Sequence, residues 1–117
     1  MTETEAISYL LDRGDAYGLS LNEVKQMIPS SIRGDVIKCA EFAEMRDLSH
    51  DLAQSTHPEL ANDPSNIMFE NSSVNRARGA EEMTDYEELM ATLDNELLAA
   101  RMNLDLIPDF VPVIGSL

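Results

Sequence analysis

The side chains in this sequence that could act as bases, nucleophiles or metal ligands are two histidines, one cysteine and twenty-two carboxylates. His50 and His57 stand seven residues apart with Asp51 and Glu59 beside them, which suggests a metal site at first sight. The separation straddles the helix end signalled by Pro58, and no third ligand stands at a recognised spacing such as His-x-x-x-His or an EF-hand loop. Surface histidines are the simpler reading. Cys39 falls at helical spacing beside Val36 and Phe42, the pattern of a small buried apolar residue. General acid-base work by carboxylates needs a pair held in a cleft with separated pKa values, and nothing singles out a pair. Gly-rich phosphate loops and nucleophile elbows are missing as well. The sequence predicts a non-enzymatic protein with no metal and no cofactor.

In bulk the carboxylates say more. Against eight Lys and Arg they give a net charge of −14, which repels nucleic acid and anionic lipid and favours basic partner surfaces. Residues 81 to 117 hold nine acids and one base. Glu81, Glu82, Asp85, Glu87 and Glu88 crowd one helix start, where the helix dipole favours negative charge. The functional alternative is a strip that imitates nucleic-acid phosphates and inhibits a nucleic-acid-binding host defence or transcription protein. Duplex DNA offers one charge per ~1.7 Å of axis, whereas the acids here are dense only from Glu81 to Glu88 and the stretch Leu93 to Ala100 is largely apolar. DNA mimicry is therefore the second reading. A helix-turn-helix around Pro29, presenting Ser30, Ser31, Arg33 and Lys38, lacks a basic stripe because Asp35, Glu41 and Glu44 lie close by. A helical hairpin of the core is the simpler account.

The elements that must position these side chains are helical. Apolar residues make up 44% of the chain, enough for one folded domain over residues 1 to 104. A single cysteine allows no intramolecular disulfide and points to a reducing compartment. Acids occupy the N-terminus where a signal peptide carries bases, and no apolar run reaches membrane-spanning length. The expectation is a soluble protein that is cytoplasmic or held within an intracellular or virion assembly, and not secreted.

Three capping boxes mark helix starts: Thr2 with Glu5, Ser20 with Glu23, and Thr84 with Glu87. The first predicts a helix from about Glu3 to Asp12 with Ile7, Leu10 and Leu11 on one face, followed by a turn bracketed by Gly14 and Gly18. The second, with Leu19 and Val24 as a hydrophobic staple, predicts a short helix ended by Pro29. Ile32, Val36, Ala40, Ala43, Leu48 and Leu52 predict a long core helix from about Ser31 to Gln54. Pro58, Pro64, Gly79 and several asparagines predict a polar loop or linker over 55 to 80, pinned by Ile67-Met68-Phe69. The third box opens a helix from Asp85 to about Asn103. Its stripe of Tyr86, Met90, Leu93, Leu97, Ala100 and Leu104 reads as core. No strand pattern stands out. The fold expected is all-α: about four helices, a long polar central loop and an extended apolar C-terminal tail.

That tail, residues 105 to 117, carries two prolines that forbid a regular helix, and it is too apolar to lie free in water. Leu106, Ile107, Phe110, Val111, Val113, Ile114 and Leu117 are the candidate partner-binding residues. The run Asp105 to Gly115, DLIPDFVPVIG, resembles the signature segment of the YkvA-type family of unknown function, in which a similar run links two apolar helices. The resemblance covers about a tenth of the chain, and the helix before the run is more acidic here. It implies little about function. The expectation is a binding or assembly protein, an accessory or structural component of a larger complex such as a bacteriophage virion, docking on a larger protein or on its own copies through the tail.

Overall fold

The computed structural model describes residues 1–50, 52 and 56–104. The chain is mostly helical, and two short strands join six α-helices among the described residues. Helix α1 (Glu3–Asp15) starts at the first capping box, where Thr2 N–H donates to Glu5 Oε1 at 2.9 Å and Glu5 N–H to Thr2 Oγ1 at 3.1 Å. It buries Ala6, Leu10 and Gly14 and leaves Ile7 and Leu11 partly in solvent, so the inward face lies beside the one expected. Gly14 is required by close approach: a Cβ there would sit 2.7 Å from the Leu19 carbonyl oxygen and 2.8 Å from Val24 Cγ2. Gly18 then turns the chain in the left-handed region, φ +68°. Helix α2 (Leu21–Gln26) has both the second capping box and the staple, with Leu19 and Val24 buried.

The long helix expected from Ser31 to Gln54 does not exist. In its place stand α3 (Ser30–Arg33), α4 (Val36–Glu44) and strand β1 (Asp47–His50). The break is local chemistry: Asp35 Oδ1 accepts from the backbone N–H groups of Ile37 and Lys38 at 3.0 and 3.2 Å, capping a new helix rather than continuing the old one. Arg33 folds back and donates to the Ile28 carbonyl at 2.7 Å and the Lys25 carbonyl at 2.9 Å, satisfying the end of α2. The other end of α4 is closed by Arg13, which donates to the carbonyls of Ala43 at 2.6 Å and Arg46 at 3.0 Å. Cys39, Ala40, Phe42 and Ala43 of α4 lie at the centre of the core.

The polar stretch expected to be a loop is also folded. Two 3-10 turns, Pro58–Leu60 and Pro64–Asn66, lead into strand β2 (Ile67–Glu70), and α5 (Ser72–Arg78) follows, stopped by Gly79 at φ +60°. The anchor Ile67-Met68-Phe69 is thus a strand. It pairs antiparallel with β1 in the register Leu48 to Phe69 and Ser49 to Met68, and Phe69 meets Phe42 edge-on with centroids 5.7 Å apart. Polar side chains substitute for apolar bulk here. Asn66 accepts from Leu52 N–H at 2.8 Å and donates to the Leu52 carbonyl at 2.9 Å, tying the connection shut. Helix α6 (Asp85–Asn103) begins at the third capping box and lies across β2 and α3.

Candidate docking face on the outer side of the last helix

Helix α6 has the predicted bounds but the opposite face inward. Its buried residues are Ala91, Asp94, Asn95, Leu98, Ala99 and Met102. The stripe read as core faces out: Tyr86 is 70% exposed, Leu93 43%, Leu97 42% and Leu104 67%, and Leu89 beside them is 57% exposed. Ala100 is exposed too and Met90 is half-buried. The buried set is centred about 150° around the helix from the expected stripe.

Polar partners choose this rotation. Arg46, at the end of α4, is buried against Phe42, with its guanidinium 5.9 Å from the ring centroid, and it needs a carboxylate. Asp94 supplies it, and both side chains of the pair are at least 96% buried. One residue on, Asn95 Nδ2 donates to the Phe69 carbonyl at 2.7 Å, on strand β2. At the far end Asn103 donates to the Ser31 carbonyl at 3.1 Å and accepts from Lys38 Nζ at 3.0 Å. Turning the leucines inward would strand Arg46 and the Phe69 carbonyl, and small residues such as Ala91 and Ala99 let the helix sit close. A second buried pair, Arg78 with Glu70, fixes α5 beneath the start of α6. Between α5 and α6 runs a groove of about 210 Å3 lined by Val74, Tyr86, Met90 and Ala91, with Glu70 and Asp94 at its base.

The acids of the α6 start are exposed apart from half-buried Glu87. Glu87 is occupied: its carboxylate accepts from Thr84 N–H at 3.0 Å and lies 3.8 Å from Arg78. The Thr84 backbone N–H above all, then the Thr84 side chain and Arg78, hold the Glu87 carboxyl below the usual carboxylate range. Much of the basic charge, by contrast, is turned inward, since Arg13 and Arg33 cap helices and Arg46 and Arg78 sit in buried pairs. Each buried pair takes one acid inside with its base, so the surface keeps the chain's net charge of −14. The side chains considered for a helix-turn-helix, Arg33 and Lys38, are spent on contacts within the fold.

The other candidates are dispersed. His50 Nε2 lies 2.8 Å from the Ala61 carbonyl, and His57 Nδ1 lies 3.4 Å from Glu59. No three His, Cys, Asp or Glu converge among the described residues. Cys39 is buried, its Sγ 3.5 Å from the Ile32 carbonyl, and burial pushes its thiol pKa up. Among the described residues no helix is long and apolar enough to cross a membrane. The tail residues Leu106, Ile107, Phe110, Val111, Val113, Ile114 and Leu117 lie outside the described residues. Leu89, absent from the expected partner-binding set, joins the outer face. Its signal was present in the sequence as an apolar residue four before Leu93, one turn along the same side of the helix. Compared with known proteins, the chain matches no family model, no curated protein and no solved structure. The resemblance of the tail to the YkvA-type segment thus gains no support.

Proposed function

We propose that this protein is a non-enzymatic binding or assembly module that docks on another protein chain through the outer face of α6. The observation that carries the reading is the exposed row from Tyr86 to Leu104 on a helix whose other face is pinned by Asp94 and Asn95. Exposed large apolar side chains aligned over five turns are rare on a monomer surface and mark interaction sites. The apolar sequence from Leu106 to Leu117 begins where this row ends and is a separate candidate docking segment. An acidic rim from Glu81 to Glu88 would exclude nucleic acid.

A photo-crosslinking residue placed at Leu97 and produced in cells that express the protein natively tests this. The expected result is a discrete protein adduct from position 97 and none from Asp12, exposed on α1. Adducts from positions 82 and 88 with none from 97 would instead favour the acidic surface as the binding element.

A further inference from the structure

We infer that α6 pairs in antiparallel orientation with α6 of a second copy of this chain. The inference rests on the docking reading above and names its partner. Tyr86, Met90, Leu93, Leu97, Ala100 and Leu104 are separated by four, three, four, three and four residues. That strict alternation lays a straight narrow seam between two helices crossing at a shallow angle, whereas a helix packed on a globular core carries a wider stripe.

The spacing also reads the same backwards. In an antiparallel pair Tyr86 meets Leu104 of the other copy, Met90 meets Ala100, and Leu93 meets Leu97, with the two-fold axis passing beside Asn95. Each residue of the seam therefore has a partner, as an isologous contact requires, and the long Met90 is matched to the small Ala100. Leu89 widens one edge. If all of their exposed surface were covered, these side chains would bury at most on the order of 600 Å2 per copy, roughly 1,200 Å2 for a pair, at the lower end of specific interfaces.

Charge sets the direction. The first turn of α6 carries Asp85, Glu87 and Glu88, and its last turn carries Arg101. A parallel pair would bring the two acidic turns together with their dipoles aligned. The antiparallel pair keeps the two acidic turns at opposite ends, with the dipoles opposed. One like-charge contact is left, Glu96 against Glu96 across the axis. Neutralising it by Glu96→Gln should tighten the pair several-fold. Added salt should tighten it as well, because each copy carries a net charge of −14.

Sedimentation equilibrium of the full chain over a concentration series provides the test. The expected species has twice the 13.0 kDa of one chain. The double variant Leu93→Asp, Leu97→Asp should be monomeric with an unchanged circular dichroism spectrum, and deleting residues 106–117 should leave the dimer in place. Should the double variant not fold, a short bis-maleimide cross-linker decides on near-native chains. Glu96→Cys should give a covalent dimer and Tyr86→Cys none, because the two Tyr86 positions lie about 27 Å apart along an antiparallel pair. The reverse pattern, or a dimer that survives the double variant or is lost with the tail, overturns the inference. So does a parent chain that stays monomeric, and thiol labelling of Leu93→Cys then separates the two readings. Ready labelling leaves the docking face free for a different protein. Protection that disappears on deleting residues 106–117 means the chain's own tail covers the face, and the docking reading falls with the dimer.

Discussion

The two faces of α6 invert the usual relation between polarity and burial. The inner face buries a carboxylate and an amide, Asp94 and Asn95, among Ala91, Leu98, Ala99 and Met102, while the outer face shows tyrosine and leucines to solvent. A helix takes the orientation that leaves the fewest costly groups unsatisfied, and apolar content is only one contribution. Leu93 and Leu97, 43% and 42% exposed, forgo roughly 1 kcal/mol of burial apiece, whereas an unpaired buried guanidinium costs about 3–5 kcal/mol. The forgone burial is available to a partner.

Removing the inner anchor should give the largest effect. Asp94→Ala leaves Arg46 buried without its carboxylate and should cost about 3–5 kcal/mol in urea unfolding, a large share of the stability of a domain this size. Asn95→Ala deprives the Phe69 carbonyl of its donor and should cost about 1–3 kcal/mol by the same measurement. On the outer face, Leu97→Ala should stay within about 1 kcal/mol of the parent when unfolding is followed at low protein concentration. If Leu97→Ala proved as damaging as Asp94→Ala, the two faces would have been assigned the wrong way round.

The smallest effect concerns the start of the helix that carries both faces. Thr84→Ala removes the cap and should cost about 1 kcal/mol. It should also let the Glu87 carboxyl rise only slightly in an NMR titration, because the backbone N–H of residue 84, the chief cause of its lowering, remains and only the side-chain share is lost. Because that carboxyl titrates lower in the folded protein than in the unfolded one, its contribution is complete above the ordinary carboxylate range. It is lost as pH falls through that range toward the depressed folded value. The variant should therefore show a slightly shallower loss of stability on acidification.

Local signals in the sequence proved sufficient for helix starts and insufficient for orientation. All three capping boxes form, because each is a pair of hydrogen bonds between residues three apart that owes nothing to the rest of the chain. The bounds of α6 and the mainly helical class follow from them. The Ser31 to Gln54 helix failed where Gly34 and Asp35 offer a competing cap, and Leu48, assigned to a helical stripe, pairs with Phe69 across a sheet. The polar stretch after it looked like linker because its order comes from Asn66 and from the Arg78–Glu70 pair, side chains that composition counts as surface. The outer face of α6 was visible as a stripe but could not be placed, since the choice depends on Arg46, 48 residues away from Asp94.

The outward orientation of that stripe is the central claim, and thiol labelling tests it most directly. Cysteines placed one at a time at Leu93, Leu97, Ala91 and Leu98 would be labelled at protein concentrations low enough to keep the chain monomeric, with the buried native Cys39 as internal reference. The account predicts that positions 93 and 97 react at rates near those of a free thiol, while positions 91 and 98 are as slow as Cys39. Fast labelling at 91 and 98 with protection at 93 and 97 would contradict it, returning the leucines to the core and removing the docking face.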